Sequence, residues 1–290
     1  MKIGIQHGGL KNIFTDEEII EKLSRIGYDT IDYALCVDWQ KTDKIFDEPY
    51  TVWKKFFKNT KKSAVRCGIG FSQTHGTYPV DFLIPGAFGE NEKVQFEKEM
   101  EATAILGAPY IVIHPIYMTD VKDDAMNRER SIEIYGSLNE TAKAYGVKIA
   151  IENMWTVKQG KFVSTGCSTS EELKRITAGL ENDSFVYCLD TGHTHLVGED
   201  VVAAVKNLGK NLKTLHVNDN FANRDDHLIP GTGDIDFNRF VSALKEVKYD
   251  GSFNMEIENI RIAKIDRDCV WDYVGLAYRT AKKLLENNRI

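Results

Sequence analysis

Four side chains able to hold a cation or move a proton each close a short apolar run. Glu152 follows Lys148-Ile149-Ala150-Ile151, and Asp190 follows Phe185-Val186-Tyr187-Cys188-Leu189. His216 follows Leu212-Lys213-Thr214-Leu215, and Glu256 follows Ser252-Phe253-Asn254-Met255. Successive members lie 38, 26 and 40 residues apart, each interval close to one strand plus one helix. Parallel strands of a sheet or barrel end on the same side, so the four groups converge. Three carboxylates meeting there repel one another unless a cation sits among them, which makes a divalent metal site the leading reading. The set Glu, Asp, His, Glu suits Mn2+, Mg2+ or Co2+, and Zn2+ also accepts it; no cysteine belongs to the set.

A cation bridging two adjacent oxygens of a hydroxy-ketone acidifies the carbon between them. Glu152 and Glu256, on opposite sides of the barrel mouth, are the expected catalytic pair, one removing a proton and the other returning it. The alternative is that both only hold the metal. Further donors crowd the same rim: His75, His114, His193, and the pair Asp225 and His227. Each reads as an extra ligand, a substrate contact or a group orienting Glu152, and for His193 substrate contact is preferred. His7, Trp39 and Trp155 sit just past strand ends, where they wall a pocket or pack under loops. Glu258 shares a strand face with Glu256 and is the alternative ligand. Pro230-Gly231-Thr232-Gly233 either offers backbone N–H groups to a substrate phosphate or makes a tight turn into a helix capped near Asp236. The turn is the preferred reading, and phosphorylation of the substrate stays open.

Positioning these groups requires alternating elements. Strand-like runs fall near 2–6, 29–34, 67–72, 109–113, 148–152, 184–189, 212–217 and 252–257. Helical patterns fall near 16–26, 49–63, 90–106, 127–144, 169–178, 199–208, 236–246 and 267–287, with start signals at Thr15, Ser170 and Asp236. Eight unbroken strand–helix pairs without a linker predict one (β/α)8 TIM barrel, α/β in class, spanning residues 1–290 as a single domain. The longest connections, near 35–48, 73–89, 153–168 and 218–235, fall where the proposed site is. Gln6-His7-Gly8-Gly9-Leu10 after the first strand is no GxGxxG, so a dinucleotide fold is not expected.

The net charge of −6 over 290 residues argues against an extended nucleic-acid-binding face. No run is apolar enough to span a bilayer, the N-terminus lacks a secretory layout, and five scattered cysteines without CxxC spacing read as reduced thiols. The expectation is a cytoplasmic protein without membrane partner. The stripe Trp271, Tyr273, Leu276, Tyr278, Leu284-Leu285 on the last helix reads as barrel packing with room for a homo-oligomer contact.

Four segments together resemble the xylose-isomerase-like barrels. They are Ile151-Glu152-Asn153-Met154, Leu189-Asp190-Thr191-Gly192-His193, His216-Val217-Asn218-Asp219-Asn220 and the stretch from Asp225 to Phe237. More narrowly they resemble the sugar phosphate isomerase/epimerase group of ketose 3-epimerases, inosose isomerases and dehydratases, and hydroxypyruvate isomerase. The resemblance implies Glu152, Asp190, His216 and Glu256 as metal ligands, Glu152 and Glu256 as acid/base pair, and His193 on substrate oxygens. It implies a small sugar, a ketose or inosose, as substrate. Where ketose 3-epimerases carry a substrate-binding arginine this chain has Ala222, with Arg224 two residues on, which counts against 3-epimerase activity. A rival resemblance is to the endonuclease IV type of abasic-site nuclease, which uses three zinc ions. Its ligand types map onto His75, His114, Glu152, Asp190, His193, His216, Asp225, His227 and Glu256. The acidic charge and the lack of basic loops weigh against it.

Overall fold

The computed structural model describes residues 1–37, 41–42, 44–77, 90–115, 124–180, 183–257, 264 and 266–287. Trp39 and Glu258 lie outside the described residues. Eight strands make one sheet: β1 (Ile3–Gln6), β2 (Thr30–Ala34), β3 (Gly70–His75), β4 (Tyr110–Ile113), β5 (Lys148–Glu152), β6 (Phe185–Asp190), β7 (Leu212–His216) and β8 (Phe253–Met255). Neighbours pair in parallel in chain order from β1 to β7, and β8 pairs with β1. A parallel bridge between Val217 and Met255 closes the ring from β7 to β8, so the expected (β/α)8 barrel is the observed fold.

Between the strands run α1 (Asp16–Ile26), α2 (Tyr50–Cys67), α3 (Glu90–Leu106), α4 (Asp124–Tyr145), α5 (Ser170–Ala178), α6 (Val201–Leu208), α7 (Phe237–Glu246) and α8 (Cys269–Asn287). Thr15 and Glu18 form a reciprocal capping box that starts α1, and Asp236 accepts from the Arg239 N–H to start α7. The start of α5 is capped one residue earlier than the Ser170 signal suggests. Thr169 supplies the oxygen because Glu172, three residues on, completes its box. The third strand also departs from expectation. Helix α2 continues through Cys67 and stops at Gly68, whose φ of 70° is the left-handed cap a side chain resists. Strand β3 is therefore displaced to 70–75, and His75 is its last residue, not a loop residue.

Side chains alternate along each strand, and the two faces differ in chemistry. Ile149, Ile151, Leu189 and Met255 join the core between barrel and helices. Val112, Ala150, Val186 and Cys188 form a separate small cluster inside the ring. Polar groups fill the remaining interior, with Thr30 and Ser252 hydroxyls 3.2 Å apart near the N-terminal ends of β2 and β8. On α8, Trp271, Tyr273, Tyr278, Leu284 and Leu285 pack partly buried on the core, whereas Leu276 stays 46% exposed. Among the described residues no helix is long and apolar enough to cross a membrane.

Candidate metal centre

Strand alternation delivers Glu152, Asp190 and His216 as the last residues of β5, β6 and β7, with Glu256 one step past β8. All four are buried, and one donor atom from each lies within 4.8 Å of those of the others. His216 Nδ1 is 2.8 Å from Glu152 Oε1 and 3.2 Å from Glu256 Oε2. Burial pushes the Asp190 carboxyl up to about 7, and Glu256 and Glu152 push the same way against His193 and His227. Three buried carboxylates so close are the arrangement a divalent ion relieves, and the donor set fits one. The residues that would hold it are Glu152, Asp190, His216 and Glu256.

Neighbouring groups fix these side chains. Asp190 Oδ1 accepts from the His193 N–H at 2.7 Å, and its Oδ2 accepts from Asn218 Nδ2 at 2.7 Å. The Asn153 amide holds the backbone of Asp190, accepting from its N–H at 2.8 Å and donating to its carbonyl at 3.1 Å. Gln6 at the end of β1 donates to Glu256 Oε1. His216 also points Nε2 at Asp32 Oδ2, 3.0 Å away across the barrel. Burial opposes a charge on His216, yet Cys188, Glu152 and Glu256 raise its pKa well above the usual imidazole value.

Two further donor groups flank the quartet. His114 Nε2 lies 2.9 Å and His75 Nε2 3.5 Å from Glu152 Oε2, and the two rings meet Nε2 to Nε2 at 3.1 Å. Burial pushes His114 down to about 4 against the pull of Glu152, whereas Cys36 and Glu152 overcome burial and raise His75 well above the usual value. For Glu152, burial is outweighed by His216 and His114, which hold its carboxyl well below the usual range.

On the other side Asp225 Oδ2 is shared by His193 Nε2 at 3.4 Å, His227 Nε2 at 3.3 Å and the Trp155 indole N–H at 3.2 Å. The opposite ring nitrogens donate to carbonyls, His193 to Asn153 at 2.9 Å and His227 to Glu256 at 3.1 Å. Burial works against both imidazolium charges, yet Asp225 raises His227 to about 10, and Asp190 and Asp225 raise His193 well above the usual value. The expected rim residues His75, His114, His193, Asp225, His227 and Trp155 are thereby brought against the quartet or beside it.

His7 is not. Its Nδ1 accepts from the Ala34 N–H at 3.1 Å, its Nε2 faces Asp16 Oδ1 at 3.7 Å, and its ring lies tilted against Tyr33. It staples β1 to β2, because the chain turns into a short helix, Gly8–Lys11, directly after it. Arg224 is paired to Asp226 Oδ1 at 3.0 Å and is 54% exposed. The Pro230-Gly231-Thr232-Gly233 turn is built around Asp219. Its Oδ2 accepts from the Gly231 and Gly233 N–H groups at 2.9 and 2.7 Å, and its Oδ1 from the Ile235 N–H at 3.2 Å. Those donors are engaged by a carboxylate, so the turn reading holds over the phosphate cradle.

Sequence reasoning passed over Asp32, Gln6, Gln73 and Asn254, which surround the quartet. It also set cysteine aside, yet the Cys188 thiol groups with Glu152 and His216 donor atoms within 4.8 Å. Strand pairing explains this, since Cys188 stands beside Glu152 in register, and burial pushes its thiol up to about 11. The signal was available: Cys188 and Asn254 precede Asp190 and Glu256 by two residues, so they share the inward face.

Comparison with known proteins agrees with the barrel fold. An uncharacterized protein of Methanocaldococcus jannaschii is 24% identical over 264 residues, covering 86% of this chain and 87% of that protein. The inosose isomerase of Bacillus subtilis is 29% identical over 178 residues, covering 58% of this chain and 61% of that enzyme, so less than two thirds of its length is matched. In fold, the zinc-bound IolI protein superposes with a TM-score of 0.79 at 21% identity, covering 99% of both chains. D-psicose 3-epimerase of Clostridium cellulolyticum H10, solved with D-tagatose, gives 0.77 at 20% identity over 98% of this chain and 99% of that one. With residues 20–273 matching its family model, the chain belongs to the xylose isomerase-like TIM barrel family.

Proposed function

We propose that the protein is a divalent-metal-dependent isomerase or epimerase of a small polyhydroxy ketone, a ketose or an inosose. The observation that carries this is the buried quartet of Glu152, Asp190, His216 and Glu256, with its donor atoms within 4.8 Å of one another. The inosose isomerase relatives support the reaction class. A divalent ion held there supplies Lewis acidity to adjacent substrate oxygens, lowering the pKa of the C–H between them. Glu152, kept ionised by its histidine neighbours, is the base that takes that proton. Glu256, steadied by Gln6, gives a proton of its own to the opposite face or to the next carbon, and exchange with solvent resets the pair. His193 and His227 donate to substrate oxygens from Nε2, which Asp225 otherwise occupies, while Trp155 borders them. Asp219 places a carboxylate where a phosphate would need donors, which supports an unphosphorylated substrate. The five free thiols support a reducing, cytoplasmic setting.

One observation favours a second reading. Among the described residues, the candidate donor groups include three that adjoin: His75, His114 and Glu152; the quartet; and His193, Asp225 and His227. A three-zinc abasic-site nuclease would need that layout, although a chain of net charge −6 is poorly matched to duplex DNA. Metal analysis of purified protein separates the two. One ion per chain, with deuterium uptake into a ketose or inosose in deuterated water, supports the isomerase. Three zincs with incision of abasic DNA overturn it. Loss of water from an inosose would assign the dehydratase variant of the same proton abstraction.

A further inference from the structure

We propose that Asp32 is the positioning residue of the metal centre: it holds the His216 ring so that Nδ1, not Nε2, faces the quartet. The inference rests on the metal reading above. Asp32 lies mid-strand in β2 and is fully buried, and among the described residues its carboxylate is held from three other strands. Its Oδ2 accepts from His216 Nε2 at 3.0 Å, Gln73 Nε2 at 2.9 Å and Asn254 Nδ2 at 3.2 Å. Its Oδ1 is buried and takes no hydrogen bond among the described residues.

A carboxylate only accepts, so the proton on the 3.0 Å contact belongs to His216 Nε2. Nδ1 in turn meets the carboxylates of Glu152 at 2.8 Å and Glu256 at 3.2 Å, so it too carries a proton; a cation taking that proton's place would find the ring held in its Nε2–H form, with the Nδ1 lone pair turned to the quartet. The buried negative charge of Asp32 then strengthens the ring as a donor to a cation, and the amides of Gln73 and Asn254 keep the carboxylate from turning. A ligating imidazole is ordinarily steadied in this way through its second N–H, and loss of the partner typically weakens metal binding about 10- to 100-fold.

The alternative is that Asp32 only ties the barrel interior together, in which case its amide partners should matter equally. The test uses protein stripped with a chelator and titrated with Zn2+ and Mn2+ by calorimetry, with circular dichroism to confirm folding. Asp32→Asn should bind each ion about 10- to 100-fold more weakly, while Asn254→Ala and Gln73→Leu, which spare the His216 contact, should stay within about threefold of wild type. Wild-type affinity in Asp32→Asn, or equal losses in all three variants, overturns the proposal. Imidazole 15N spectra of zinc-loaded wild type need no variant: the Nε2–H form of His216 is expected, and the Nδ1–H form overturns it. A wild-type protein that binds neither ion would instead sink the metal centre itself.

Discussion

Gly192 follows Asp190 by two residues and is the second residue of the short helix Thr191–Leu196, and its missing side chain has a measurable consequence. A Cβ at this position would stand 2.0 Å from Asn218 Oδ1 and 2.9 Å from Asn220 Nδ2. Real contacts of that kind do not occur, so in Gly192→Ala the Asn218 amide must retreat by an ångström or so, roughly the overlap that overpacking forces on a dense interior. Asn218 is the group whose Nδ2 holds Asp190 Oδ2 at 2.7 Å, and Asn220 Nδ2 holds the Gly192 carbonyl at 3.0 Å. Losing a hydrogen bond to a charged group costs about 1.5–3 kcal/mol, and overpacking adds about 1–3 kcal/mol. The variant should therefore lose about 2.5–6 kcal/mol of stability in denaturant unfolding, and its metal affinity should fall at least about tenfold as Asp190 loses its tether. Wild-type metal affinity in a folded Gly192→Ala protein would refute the claim that Asn218 positions Asp190.

Glu152→Gln and Glu256→Gln should each slow substrate deuterium exchange by about 10²- to 10⁴-fold while the protein stays folded; full-rate exchange in either would end the acid/base assignment. Metal affinity should rise with pH. His216, raised by its carboxylate neighbours, and Asp190, at about 7, both hold protons that a cation must displace. Proton release measured on metal uptake in buffers of differing ionisation enthalpy checks this, and uptake without release would contradict it. Glu99, buried under Thr77 on α3, has its carboxyl pushed up by burial to about 7 against the hydrogen bonds of Thr77 and Gln95. The folded state keeps that proton after the unfolded chain releases it, so Glu99 costs stability as pH rises from 4.5 to about 7. Relative to wild type, Glu99→Gln should gain up to about 3 kcal/mol across that window, and a pH-independent difference would show the carboxyl titrates normally.

The quartet was legible because each member ends an apolar run, and strand periodicity alone sends the ends of parallel strands to one face. His75 was legible as a rim residue but not as the end of β3, since the helix-to-strand boundary turned on the left-handed cap at Gly68. His7 shows the reverse. Its position after β1 resembles that of a site residue, but Ala34 and Asp16 claim its ring first. The sequence favoured a tight turn at Gly231 and Gly233 over a phosphate cradle, and the reason lies outside the turn: Asp219, 12 residues from the first of them, occupies the N–H groups.

The order of types along the chain, with its alternation of strand and helix and its carboxylates at strand ends, determined the barrel and the place of the proposed chemistry. Both follow from local periodicity and from the mutual repulsion of like charges, which any segment carries in its own residues. Tertiary structure alone decided which groups face one another. Asp32 meets His216 across 184 positions and Gln6 meets Glu256 across 250, distances over which spacing in sequence holds no information. Closure of the ring puts these side chains into one buried volume of low polarisability, and there a single hydrogen bond settles which imidazole nitrogen is free.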